Sequence, residues 1–335
     1  MAINHDRNTD APTEPRPRRL RAAAIATVAL AALAGGTALL TDNLTNAFGP
    51  DSVCGGAVSA EAVNDALGWG KVSDTMYGDG KTLKADGSSC VAKVSRGIFG
   101  DDRFVAVDLR KSLNLTPFAV DAESQLFAAS ANGGSAGAVR DSSFAYALFP
   151  ADCDSGQQAT AKSRSSDAPG LARLAVSVAN RAAEQQGCGK ERLPAPHKLT
   201  AAGTDRALDR NAVCGLPGLT MPDTPGGPAY RATVTPGTDP LWSCRIHSDT
   251  DPRSSITFTI GTDPRLVASP TGDPGPTLGR AQEVGTFEAV TTCQGRPTRF
   301  RFTPDGLWDL VPDGTATWKQ FLTAGGKAIG CEPIL

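Results

Sequence analysis

Val53-Cys54-Gly55-Gly56-Ala57-Val58-Ser59-Ala60-Glu61 opens a pattern that begins again at Val213-Cys214-Gly215. Cys54, Cys90, Cys153 and Cys188 are spaced by 36, 63 and 35 residues. Cys214, Cys244, Cys293 and Cys331 are spaced by 30, 49 and 38. Two sets of four cysteines with matching short-long-short spacing predict two tandem units, each closed by two disulfides. The units are residues 53–193 and 212–335, joined by a polar, Pro-containing linker at 194–211.

All eight cysteines lie after one apolar segment, Ala22 to Leu40. Its nineteen uncharged residues would span about 28 Å as a helix, close to the roughly 30 Å hydrocarbon core of a bilayer. Residues 1–21 carry Arg7, Arg16, Arg18, Arg19 and Arg21 against Asp6, Asp10 and Glu14. Four of the arginines crowd the start of the apolar run, and Asp42 follows its end. This asymmetry predicts a short, disordered cytoplasmic tail at 1–21, a single-pass transmembrane anchor at 22–40 and a spacer at 41–52. Everything downstream is then extracytoplasmic. Ala32-Leu33-Ala34 is also a small-residue cleavage signature, so secretion after a cut before Gly35 fits the same segment. Either route delivers the cysteines to an oxidising compartment, where disulfides rather than metal thiolates are expected. There is no Cys-x-x-Cys pair, and only three histidines could complete a zinc site.

With a net charge of −2 and 20% charged residues, the chain has no basic excess for nucleic acid. Alternation predicts the strands. Lys71–Tyr77 and Ser89–Ser95 flank Gly78-Asp79-Gly80, and Tyr230 to Thr235 and Leu241 to His247 flank a Pro/Gly turn. Each pair reads as a hairpin whose second strand carries the second cysteine. Val105, Val107 and Leu109 alternate in one unit, and Ile256, Phe258 and Ile260 in the other. Phe144, Tyr146 and Leu148 precede Cys153, and Phe287 and Ala289 precede Cys293. A further strand through Phe300 and Phe302 is expected in the second unit alone.

Each unit then ends in a helix. Asp167 caps one with Leu171, Leu174, Ala175, Val178 and Ala182 on its apolar face, stopped by Gly187. Asp313 caps another with Trp318, Phe321 and Leu322, expected to stop at Gly325-Gly326. The first unit alone has an opening helix between Ser59 and Gly68, because Pro217, Pro222 and Pro225 forbid one in the second. The first unit also has a surplus segment, read as a helix from Thr116-Pro117 through Phe118, Ala122, Leu126 and Ala129 to Gly133-Gly134. The expected class is α+β: in each unit, an antiparallel sheet of four or five strands with packed helices. A helix folding back on its own sheet brings its end to the strand before it. This predicts the pairs Cys153–Cys188 and Cys293–Cys331, with Cys54–Cys90 and Cys214–Cys244 pinning each opening segment to the nearest hairpin.

Candidate chemistry is thin. Gly133-Gly134-Ser135-Ala136-Gly137 matches the nucleophile-elbow pattern, but an elbow needs a strand before the serine and a helix after it, the reverse of the order read here. His197 and His247 are the extracytoplasmic histidines that could serve Ser135 as a base, and neither sits in a motif. The turns Asp249-Thr250-Asp251-Pro252, Gly261-Thr262-Asp263-Pro264 and Gly272-Asp273-Pro274 lack the ligand spacing of a calcium loop. Arg296, Arg299 and Arg301 read as a solvated strand face. No cofactor motif is present. The run Val53 to Gly68 with Leu241-Trp242-Ser243-Cys244-Arg245-Ile246 resembles a group of uncharacterised actinobacterial exported proteins of streptomycete type. That resemblance implies a basic stub, an alanine-rich anchor and cysteine-bearing extracytoplasmic units, and no assigned activity. The expected function is binding of an envelope ligand or partner without catalysis, with a serine hydrolase using Ser135 as the alternative.

Overall fold

The computed structural model describes residues 46–335 except 48, 79–81, 85–87, 98–99, 112–123, 128–136, 141, 151, 154–156, 197, 200–202, 236–240, 252–253 and 263–274. A two-stranded ladder, β1 (Ser52–Val53) with β2 (Val58–Ser59), leads into helix α1 (Ala60–Leu67). Then come β3 (Lys71–Tyr77), β4 (Ser89–Ser95), β5 (Arg103–Lys111), β6 (Gln125–Phe127), β7 (Gly137–Arg140), β8 (Phe144–Leu148), β9 (Gln157–Lys162) and α2 (Ala168–Gln185). The second repeat has β10 (Thr204–Ala207), β11 (Tyr230–Val234), β12 (Leu241–Ser248), β13 (Ser255–Gly261), β14 (Thr277–Leu278), β15 (Ala281–Gly285), β16 (Glu288–Cys293), β17 (Arg296–Asp305) and α3 (Gly314–Ala328).

The strand orders are β3-β4-β5-β9-β8-β7-β6 and β10-β11-β12-β13-β17-β16-β15-β14, antiparallel throughout. Apart from the edge strand β10, one order maps strand for strand onto the other. The registers agree as well: Cys90 lies between Met76 and Val107 as Cys244 lies between Val234 and Phe258. The chain therefore holds one architecture twice, mixed helix and sheet as expected, with more strands per sheet than alternation suggested.

Several expectations need correction. The strand through Phe300 and Phe302 is not peculiar to the second repeat. β9 is its counterpart, with Ala159 and Ala161 where β17 has Phe300 and Phe302. An Ala-rich stretch has low strand propensity, and only burial between β5 and β8 makes it a strand. Leu126, placed on a surplus helix, sits in β6 paired with Ala138 of β7; the rest of that segment, residues 112–123 and 128–136, lies outside the described residues. The stretch read as linker is bound at both ends of its course. Leu199 bridges Phe127, and Thr204–Ala207 is the edge strand β10.

Each sheet has a core face covered by its last helix and an outer face. The first core is built from small side chains, with Ala92, Ala145, Ala147, Ala159 and Ala161 of the sheet under Leu171, Leu174, Ala175 and Val178 of α2. The second is aromatic, with Phe258, Phe300 and Phe302 under Trp318 and Phe321 of α3. The caps form as read. Ser59 Oγ accepts from the Ala62 N–H (3.1 Å), Asp167 Oδ1 from the Gly170 N–H (2.6 Å) and Asp313 Oδ1 from the Ala316 N–H (2.9 Å).

Helix α3, however, runs through Gly325-Gly326 to Ala328. These glycines grant close approach rather than a stop: a Cβ on Gly325 would lie 3.0 Å from Ile260 Cδ1, and one on Gly326 2.6 Å from Ile334 Cδ1. Both helices end identically. Cys188 N–H donates to the Ala183 carbonyl and Cys331 N–H to that of Gly326, after Gly187 and Gly330 in the left-handed region (φ 77° and 74°).

The outer faces meet. Leu126, Ala138, Tyr146 and Leu148 of the first sheet form a small buried cluster with Leu241 of the second. Thr160 on the one outer face and Thr233, Ser243 and Thr259 on the other are also buried.

Candidate functional site

The eight cysteines form four disulfides with the expected pairing, Cys54–Cys90, Cys153–Cys188, Cys214–Cys244 and Cys293–Cys331. The first cysteine of each repeat takes the left-handed backbone conformation (φ 58° at Cys54, 62° at Cys214), and the following Gly55 and Gly215 do so too. That sharp turn brings each opening segment under the second strand of its hairpin. Cys54, Asp74 and Cys90 have ligand atoms within 4.8 Å of one another. Both sulfurs are consumed in a disulfide, and Asp74 Oδ2 accepts from the Cys54 N–H at 2.6 Å. The cluster is thus a capped turn rather than a thiolate ligand set. Removing the last link by a Cys293→Ser/Cys331→Ser double replacement is expected to destabilise the second repeat by about 4 kcal/mol, since it closes a loop of 38 residues. Denaturation followed at Trp69 in the first repeat, and at Trp242, Trp308 and Trp318 in the second, should show only the second transition moving.

Ser135 and His197 lie outside the described residues, as do residues 22–40 and the turns at Asp263 and Asp273. Among the described residues no helix is long and apolar enough to cross a membrane. His247 is half-buried on the outer face of β12, and its Nδ1 is buried without a hydrogen-bond partner.

The arginine-bearing strand is not the solvated face it was expected to be. Arg299 is buried and its Nε donates to Glu288 Oε1 at 2.7 Å, while Arg301 lies across the ladder from Glu288. Burial pushes the Arg301 guanidinium below its ordinary value, partly opposed by Glu288 and reinforced by Arg299.

The feature with the properties of a ligand site is in the first repeat. A cavity of about 650 Å3, within the range of ligand pockets, is lined by Thr82, Leu83, Lys84, Gln157, Ala182, Gln185 and Gln186. It lies where the first residue of β9, the C-terminal turn of α2 and the β3–β4 loop converge. Gln157 is on the core face, in register with Ala159 and Ala161, and only 9% exposed. Its Oε1 is buried with no hydrogen-bond partner. On the loop side Leu83 is in the core, the Lys84 N–H donates to Ser88 Oγ (2.6 Å), and that hydroxyl donates to the Lys84 carbonyl (3.1 Å). The helix wall is fixed by the capped turn at Gln186 and Gly187 and by the Cys153–Cys188 bond just beyond.

The second repeat carries different residues at this position. By ladder register Gln157 corresponds to Thr298, which is fully buried and whose Oγ1 donates to the Arg296 carbonyl (3.3 Å). By the common helix end, Gln185 corresponds to Ala328 and Gln186 to Ile329, which packs against the second core. The β3–β4 loop is also four residues longer than its counterpart, since Met76 opposes Cys90 where Val234 opposes Cys244. Polar residues and extra loop thus occur together on one copy only.

None of these lining residues was singled out by sequence. The signal was nevertheless there. Aligned on the terminal Gly-Cys, Gln185-Gln186-Gly187-Cys188 stands against Ala328-Ile329-Gly330-Cys331. No family model, curated protein or solved structure matches the chain.

Proposed function

We propose that this is an extracytoplasmic, membrane-tethered binding protein whose first repeat holds a small polar ligand in the Gln157 cavity. The basic stub, the apolar run at 22–40 and the eight cysteines downstream of it support the location. The observation that carries the binding reading is Gln157 Oε1. A buried acceptor left without a donor costs about 1–3 kcal/mol, a cost a ligand N–H or O–H would remove. The described lining residues offer three carboxamides, a threonine hydroxyl and a lysine, groups suited to hydrogen-bonding a polar ligand.

The test is a saturation-transfer NMR screen of the full chain against amino acids, N-acylated amino acids, and mono- and disaccharides. Gln157→Thr and Gln186→Ile, which install the residues of the other repeat, should each weaken any true ligand about fivefold while leaving the melting temperature near that of the parent. A ligand indifferent to both replacements, or an empty screen, refutes the assignment.

A further inference from the structure

Resting on that reading, we infer that the ligand joins an amide to a carboxylate: a short peptide with a free C-terminus, or an N-acylated amino acid. Three features of the cavity argue for this.

The first is its carboxamides. Gln157, Gln185 and Gln186 line one space, and a carboxamide offers a donor and an acceptor side by side. The complementary group is another amide, whose N–H and C=O can engage both at once. Gln157 Oε1, the deep acceptor, asks for an N–H there. Gln185 is held only loosely, its Nε2 3.4 Å from the Gly55 carbonyl, so it is able to turn toward a ligand.

The second is charge. Among the described lining residues Lys84 carries the one charge. The adjacent end of α2 does not call for a cation either. The Ala182, Ala183 and Glu184 carbonyls accept from the N–H groups of Gln186, Gly187 and Cys188. A cationic ligand would be repelled by Lys84, whereas a carboxylate would pair with it.

The third is shape chemistry. Among the described lining residues there is no aromatic ring, so a sugar would lack a face there to stack on.

The experiment is calorimetric titration of the full chain with N-acetyl-L-alanyl-L-alanine, with its C-terminal amide, and with N-acetylglucosamine. The free acid should bind tightest, and the amide about two- to fivefold more weakly, the scale of an ion pair at an exposed lysine. Lys84→Gln should impose the same loss on the acid and none on the amide. Gln157→Thr should weaken both about fivefold. If acid and amide bind alike, or Lys84→Gln affects them equally, the carboxylate is wrong and the binding reading stands. Preferential binding of N-acetylglucosamine overturns the peptide class in the same way. If Gln157→Thr alters neither ligand, or nothing binds, the inference and the proposed function fall together.

Discussion

Replacing Phe321 with alanine is expected to destabilise the second repeat by about 3–5 kcal/mol, the range for deleting a fully buried aromatic side chain. Phe321 has no exposed surface and lies at the centre of an aromatic cluster. Its ring centroid is 4.8 Å from that of Phe258, 5.9 Å from Phe300, 6.0 Å from Trp318 and 6.3 Å from Trp242. The neighbours come from β12, β13, β17 and α3 itself, so no single element can move to fill the space. Glycines at 325 and 326 bring the helix down onto Ile260 and Ile334 one turn later, which further limits collapse. The corresponding part of the first repeat has alanines at Ala159 and Ala161 and, among the described residues, no comparable ring cluster. A two-transition melt should therefore lose only its second component. Equal loss in both transitions would mean that the repeats unfold as one unit through the shared outer-face contacts of Leu241.

Glu288→Ala is expected to have an effect of similar size, about 3–5 kcal/mol, for a different reason. Arg299 and Glu288 form an ion pair with side-chain exposures of 7% and 13%. Removing the carboxylate takes a close ion-pair partner from a buried guanidinium and leaves its repulsion with Arg301, whose Nη1 is already buried without a partner, less offset. Arginine does not escape by deprotonation in the accessible pH range, so the loss should persist across pH and shrink when sulfate is added. Glu288→Leu with Arg299→Met, which removes both charges, should recover most of the stability. Denaturant titration of the three proteins decides it; a single variant as stable as the parent would show that the pair is solvated.

The disulfide pairing was legible in the sequence because each bond closes a local loop, from strand to returning helix or from opening turn to first hairpin. Helix starts were legible because Ser59, Asp167 and Asp313 act within one turn of their own position. Strand β9 was not. Gln-Gln-Ala-Thr-Ala-Lys has no alternation of apolar and polar residues and few β-branched ones, and it is a strand because β5 and β8 flank it. Gly325-Gly326 misled for a related reason. A glycine pair in a helix can mark an end or a close contact, and only the presence of Ile260 and Ile334 above it distinguishes the two. Arg299 looked like a surface residue because nothing nearby in sequence shows that the outer face of its sheet is covered.

The sequence by itself determined that the chain is a duplicated, disulfide-closed α+β architecture behind an apolar N-terminal segment, because cysteine spacing, caps and short-period alternation are local properties. Only the tertiary structure decided that the repeats share one strand order, that their outer faces meet, and that glutamines of one copy line an open cavity where the other copy has Thr298, Ala328 and Ile329. Gln157 and Gln185 are distant in the chain and belong to different elements. Their meeting, and the missing partner of the Gln157 carbonyl, follow from how α2 is seated on its alanine-lined sheet.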